Sequence, residues 1–298
     1  MSGRGGDIPD MLDLAAHGAC ILEPGPRKGM GKFVLAQQRP DGGYAGRDGG
    51  GSDLYYTVFA AGVLAALGRW RPFLGAARYA RGRGHDRITD FVHLACLARL
   101  NGRLARFRLA GRHTGPERLE AFRSADGGYH HTRRGEAQGT AYAAFLATLA
   151  YGDWGRALPE PDRLVESLAP LRTGDLGYAN QPGEPKGNTN ATAAATMVRL
   201  LHGGRVEAGT LDVLRGRFHP AGGFHATPDA PIPDLLSTAA TLYALRAAGA
   251  EVDAFRGGTL AFIEQCWDES GGFRGHLLDD RADCEYTLYG LLALGCLA

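Results

Sequence analysis

The sequence predicts an all-α fold, a closed (α/α)6 toroid of six helical hairpins, and three observations carry that prediction. First, a glycine–aromatic turn signal recurs: Asp41-Gly42-Gly43-Tyr44, Asp126-Gly127-Gly128-Tyr129, Asp175-Leu176-Gly177-Tyr178, Ala221-Gly222-Gly223-Phe224 and Ser270-Gly271-Gly272-Phe273. Glycine turns with φ > 0 at no steric cost, and the aromatic after it can plug a neighbouring surface. Second, a polar anchor with a threonine four residues on comes after each turn: Asp53/Thr57, Glu136/Thr140, Asn188/Thr192, Asp234/Thr238 and Asp283/Thr287, with a degenerate copy at Asp90. The anchors are 37, 46, 52, 46 and 49 residues apart, the length of a helical hairpin. Third, the run after each anchor is apolar on every side, and a helix of that kind must be shielded from water.

Residues 1–27 are expected to be an N-terminal segment, partly disordered: 1–10 is polar and Gly-rich, and a short helix over 10–22 is stopped by Pro24-Gly25-Pro26. The toroid then occupies 28–298 as a single domain. First helices are expected near 28–38, 71–82, 115–124, 160–170, 206–217 and 253–267. In the fourth, Leu164, Val165, Leu168 and Leu171 share one face, and Pro161 sits in the first turn, where its missing N–H costs nothing. Second helices are expected near 54–68, 91–101, 137–151, 189–202, 235–248 and 284–296. Alternating one-sided and all-apolar helices gives two concentric layers, amphipathic outside and apolar inside. The final helix is too apolar to cap an open solenoid, which favours closure.

Composition narrows the function. The 298 residues carry a net charge of +1, which gives no electrostatic case for nucleic acid or an anionic membrane. No apolar run is long enough to span a bilayer, and no secretory leader opens the chain. The five cysteines are odd in number and lack C-x-x-C spacing, so a reduced, cytoplasmic protein is expected. High Gly, Ala and Arg content hints at a bacterial coding bias.

The combination of Gln37-Gln38-x-x-Asp41-Gly42-Gly43-Tyr44 with Asp53-x-x-Tyr56-Thr57, repeated about six times, resembles the β-subunit repeat of protein prenyltransferases. Squalene and terpene cyclases use similar repeats. The resemblance implies a barrel with a central apolar funnel for an isoprenoid chain, the residues that open the inner helices lining its mouth. It implies a prenyl diphosphate or other apolar small molecule as ligand, and a helical-repeat α-subunit as partner. Prenyltransferases hold zinc with an Asp and a Cys two residues on in the fifth anchor, and a His three residues after the Asp of the sixth. Here those positions read Asp234, Leu236 and Tyr286. A rotated register offers Asp53 with His93, but Tyr55 stands where a Cys belongs. No cofactor is therefore expected, zinc least of all. The D-x-D-D acid of squalene-type cyclases is missing. Asp279-Asp280-Arg281-Ala282-Asp283 spells the D-D-x-x-D that elsewhere holds Mg²⁺-diphosphate, but straddles a loop and a helix cap here and gives Mg²⁺ only weak support.

The capping aspartates need no role beyond closing helix N-termini. Polar groups set into buried helices need partners or a task, which makes Glu136, Gln138, Asn190 and Glu285 the catalytic candidates. The loop His130-His131-Thr132-Arg133-Arg134 gathers four potential cations in five residues. Its His130, His131, Arg133 and Arg134, with Lys186, Tyr56, Tyr286 and His93, are the substrate-binding candidates. They would hold a diphosphate by charge-assisted bonds and stabilise its departure. The competing expectation is a non-catalytic lipid-binding or protein-interaction barrel. A carbohydrate-active toroid with Glu136 and Glu285 as acid and base is disfavoured by the three tryptophans of the chain.

Overall fold

The computed structural model describes residues 8–82, 90–105 and 115–298. Residues 1–7, part of the segment expected to be disordered, lie outside the described residues. Six inner helices form the ring: α3 (Leu54–Ala66), α5 (Phe91–Ala105), α6 (Ala141–Asp153), α8 (Thr189–Leu201), α10 (Leu235–Ala247) and α12 (Cys284–Leu297). Each packs on the next, and α12 returns to α3, closing the toroid. Around them stand α2 (Pro24–Ala36), α4 (Trp70–Gly82), α7 (Pro161–Glu166), α9 (Thr210–Arg215) and α11 (Asp253–Cys266), with a 3-10 segment, Pro116–Phe122, in the third outer place.

The outer layer is shorter than the sequence pattern suggests. Continuous helices over 115–124, 160–170 and 206–217 are replaced by the 3-10 segment, by α7 with a separate turn at Ala169–Leu171, and by the two turns of α9. Pro170 lacks an N–H, so the i→i−4 ladder of α7 cannot continue through it, and the chain makes a separate 3-10 turn there. The expected boundary at residue 28 falls inside α2, which starts with Pro24 and Pro26 in its first turn.

The repeat unit has a clear mechanical basis. At Gly42 (φ 93°) and Gly222 (φ 99°) a Cβ would sit 2.3 Å and 1.9 Å from the carbonyl oxygens of Gly75 and Gly258 on the neighbouring outer helices. Glycine here lets the turn rest directly on helix backbone. The next aromatic is buried in every copy: Tyr44, Tyr129, Tyr178, Phe224 and Phe273. The anchor then caps its helix, as Asp53, Asn188, Asp234 and Asp283 accept from the amides of Tyr56, Ala191, Ser237 and Tyr286. The threonine four residues on reaches back to the turn. Thr57, Thr192, Thr238 and Thr287 accept from the buried amides of Tyr44, Tyr178, Phe224 and Phe273 at 2.9–3.1 Å.

The third copy departs from this register. α6 begins at Ala141, four residues later than expected, because Thr140 and not Glu136 is its N-cap, accepting from the Ala143 amide at 3.1 Å. Gly139, just before the cap, rests against Gly128 of the turn. Ala144 holds the threonine position, and the turn keeps the cap-to-aromatic backbone bond that the fourth and fifth copies also make, here the Thr140 amide on the Tyr129 carbonyl at 2.8 Å. Glu136 therefore lies in a loop, not in a buried helix.

Short antiparallel ladders brace the first and last copies: β1 (Tyr44–Ala45) on β2 (Ser52–Asp53) and β3 (Phe273–Arg274) on β4 (Ala282–Asp283). N-terminal to them all, α1 (Met11–Ile21) runs along α12 in the opposite direction. Its Asp10 cap accepts from Leu12 at 2.7 Å. Added Cβ atoms at Gly18 and Gly295 would lie 2.0 Å and 1.8 Å from the carbonyl oxygens of Leu291 and Leu14, so the two backbones touch. The Tyr243 hydroxyl donates to the Pro9 carbonyl at 3.1 Å, which holds the start of α1 beside the axis.

Candidate functional site

Inner helices rich in alanine cannot fill the axis of a six-membered ring. A cavity of about 310 Å³ remains, lined by all six of them and by Met11 of α1. Its wall is apolar and aromatic, including Tyr55, Phe59, Tyr142, Phe145, Tyr243 and Tyr289, with Ala193, Ala194 and Ala240 giving the width. Tyr55, Phe59 and Tyr289 form a run of ring contacts, with centroids 4.9 Å and 5.5 Å apart.

Four polar side chains break this lining. Glu285 and Asn190 stand in the first turns of α12 and α8, at the anchor end. Arg99 and Arg103 stand in the later turns of α5, at the other. The Tyr55 hydroxyl donates to Glu285 Oε1 at 2.5 Å. Burial pushes the Glu285 carboxyl up to about 7 despite that bond, with Asp283 adding to the rise and Arg47 opposing it. Because Tyr55 occupies Oε1, the acid proton belongs on Oε2. Asn190 Oδ1 is buried and has no hydrogen-bond partner among the described residues. Arg99 and Arg103 donate from Nε to the two oxygens of Asp153, at 3.1 Å and 3.3 Å.

The remaining candidates lie elsewhere. Gln138 donates to Asp126 Oδ2 at 2.6 Å and braces the third turn. Glu136 is half-exposed, 3.7 Å from the exposed Arg133. Arg134 lies over the Phe122 ring at 4.9 Å. His130 is occupied by its own turn, its Nδ1 accepting from the amides of Thr132 and Arg133. Of that loop, His131 comes nearest the cavity: its ring is edge-on to Tyr142 at 5.6 Å, and burial with the neighbouring His130 lowers its basicity. Lys186 pairs with Asp229 at 3.0 Å on the surface. Tyr56 and Tyr286 pack under Gly46 and Gly275.

His93 bridges two caps, with Nε2 3.2 Å from Asp53 and Nδ1 2.9 Å from Asp90. The Asp53 bond, against burial and with help from Asp90, raises the imidazole to about 9. The D-D-x-x-D string wraps a guanidinium. Arg47 donates to both oxygens of Asp279 and from Nε to Asp283 at 2.6 Å, and lies over Tyr286 at 5.2 Å. Both carboxylates that a cation would need are thus paired. Among the described residues no group of three or more His, Cys, Asp or Glu is placed to hold a metal ion.

Sequence reasoning found Glu285 and Asn190 but missed Tyr55 as the carboxyl's partner, and missed Arg99, Arg103 and Asp153. The available signal was two arginines four apart at the end of a helix that begins as an apolar run.

A model of the prenyltransferase alpha-alpha toroid domain matches residues 11–212 and 206–297. No curated protein matches the sequence. Among solved structures the chain resembles a variant of the type II terpene cyclase MstE from Scytonema, in complex with its substrate geranylgeranyl dihydroxybenzoate. There the TM-score is 0.61 at 13% identity, over 96% of this chain and 97% of that one. A protein from Actinoplanes gives 0.62 at 17% identity, over 97% and 98%. Candida albicans protein geranylgeranyltransferase-I complexed with GGPP gives 0.50 at 11%, over 96% and 83%. At such identities the likeness is one of fold. No helix among the described residues is long and apolar enough to cross a membrane.

Proposed function

Because the chain belongs to the prenyltransferase alpha-alpha toroid family, we propose that it holds an isoprenoid in its axial cavity and that Glu285 protonates an alkene of that chain. The observation behind this reading is a single carboxyl raised to about 7 inside an aromatic-lined space, with one oxygen fixed by Tyr55. A carboxyl poised near neutral pH keeps its proton until a base arrives and can still give it up. The Oε2–H bond breaks, the proton adds to a carbon–carbon double bond, and a tertiary carbocation forms. A second double bond of the same chain closes on that cation, and loss of a proton to a water molecule ends the sequence. Glu285 then recovers its proton from water.

The faces of Tyr55, Phe59, Tyr142 and Tyr289 are suited to stabilise the cation by cation–π attraction, and the apolar lining around them limits the water that could quench it. The step needs no metal, since the carboxyl supplies the electrophile.

Incubation with linear C20 polyenes and mass analysis of the products tests the proposal. Wild type is expected to yield isomers of unchanged mass with fewer double bonds. Glu285→Gln is expected to bind the polyene equally well and to lose at least about a hundredfold in turnover, the usual scale for a lost general acid. Undiminished turnover in that variant sinks the role. A barrel that binds without reacting is the second reading, favoured by Leu236 and Tyr286 at the family's metal positions. Under it wild type binds the polyenes and returns them unchanged.

A further inference from the structure

Arg99 and Arg103 lie one turn apart on α5 and are only 9% and 8% exposed. Besides ending the axial cavity they line a second recess of about 420 Å³, walled by residues 8–12, the end of α6 and the loop after it, Leu201 and His202. The two spaces meet at Met11, Arg99, Arg103, Leu149 and Tyr243, which line both. Among the described residues Asp153 is the one carboxylate bonded to the two guanidiniums, and it takes only their Nε protons. Their Nη atoms make no hydrogen bond to the described residues. Asp10, exposed at the rim, is engaged by the amides of Leu12 and Asp13 and acts on Arg103 as a minor, distant attraction.

Two buried cations therefore share one part-buried anion. An uncompensated buried charge is costly, and bracing Asp153 at the end of α6 requires only one guanidinium. The second, with its free donors facing a cavity, is the arrangement that recognises oxygen anions through paired N–H groups. The excess is a single positive charge, which suits a carboxylate better than a diphosphate. α5 rises by about 1.5 Å per residue, which puts Arg103, in its fourth turn, on the order of 15 Å along the axis from the first-turn level of Glu285.

We infer that the ligand is an amphiphile with a carboxylate head, seated against Arg99 and Arg103, whose apolar chain runs up the axis toward Glu285. This rests on the proposed function only for the nature of the chain; the head-group site stands for any anionic amphiphile. It also reverses the polarity expected from the sequence, in which the head would lie by His130–Arg134 at the anchor end.

Titrations with farnesoic acid, farnesol, farnesyl diphosphate, dodecanoate and dodecanol, read by displacement of an apolar fluorophore, test it. Wild type is expected to prefer each acid over its alcohol by about tenfold or more, the scale of one charge-assisted bond. Arg99→Met is expected to bring the acid down to the alcohol while leaving the alcohol unchanged. Asp153→Asn, which frees cations instead of removing them, is expected to hold or tighten acid binding, and a weaker acid there overturns the inference. Circular dichroism establishes that each variant is folded. Equal affinity of wild type for acid and alcohol overturns the head-group site and leaves the isoprenoid reading standing. Binding of dodecanoate without any of the three farnesyl ligands does the reverse. A preference for farnesyl diphosphate that His131→Ala abolishes and Arg99→Met does not would put the head at the opposite mouth and overturn the inference; no binding by any of the five overturns both.

Discussion

At the scale of single residues, two titrations give the protein an unusual dependence on pH. Glu285 rises to about 7 on folding, so the folded state keeps a proton that the unfolded chain has lost. Stability is therefore greatest below the ordinary glutamate range and falls as pH rises through 7, by about 3 kcal/mol. His93 is raised to about 9 by Asp53 and Asp90. Its contribution is fully present below the ordinary histidine range and is lost as pH rises through 9. Thermal melts are expected to show a midpoint that declines from pH 5 to pH 9. Glu285→Gln should remove the part of the decline between pH 5 and 7, which makes the variant more stable than wild type at pH 8. A flat wild-type profile over that lower interval would show that the carboxyl is not buried as described. Sequence could nominate Glu285, because a charge in an apolar helix is conspicuous. It could not pair it with Tyr55, which lies 230 positions away and is close only because the ring closes.

At the scale of elements, the repeat threonines turn a sequence pattern into a structural tie. Thr57, Thr192, Thr238 and Thr287 each accept from a buried amide of the preceding turn, so Thr192→Val leaves the Tyr178 amide without a partner. The expected loss is about 1–3 kcal/mol, read from urea denaturation. Thr140→Val removes a cap instead, at a cost of about 1 kcal/mol. A cost at Thr140 well above that at Thr192 would overturn the shifted register of the third copy. That register was legible in a spacing the anchor pairs do not show: elsewhere the turn aromatic precedes its anchor by 9 or 10 residues, whereas Tyr129 precedes Glu136 by 7 and Thr140 by 11. The glycine contact before the cap, Gly139 on Gly128, matches that of Gly187 on Gly177 before Asn188, which aligns Thr140 with the other anchors and leaves Glu136 in the loop. The shortened outer elements were legible in part, through Pro170, but the periodic face around Leu164 outweighed it. At α1, Gly295→Ala forces a Cβ onto the Leu14 carbonyl. Hydrogen exchange over residues 11–21 is expected to quicken markedly in that variant, while exchange in α8 is unchanged.

At the scale of the whole molecule, the toroid was predictable because five copies of one grammar, each with a buried plug and an all-apolar helix, allow few other arrangements. The candidate site was less so. Its carboxyl came from a local anomaly, whereas the basic loop that drew attention by composition mostly faces other tasks. Arg133→Ala with Arg134→Ala is accordingly expected to change ligand affinity less than twofold, and stability by no more than about 1 kcal/mol for exposed charges. Calorimetry on the double variant decides it: a loss of ten- to a hundredfold would return the head group to that loop.

Arg47 joins the first repeat to the last, gripping Asp279 and Asp283 from 232 and 236 positions away. During synthesis that grip has nothing to hold until Asp279 and Asp283 have been made. At typical elongation rates the wait is about 10 to 50 s. Throughout it, α3 displays to the cell an apolar flank whose proper neighbour has not yet been made. The protein is thus born as an open arc with one sticky end, which α12 closes by packing between α10 and α3.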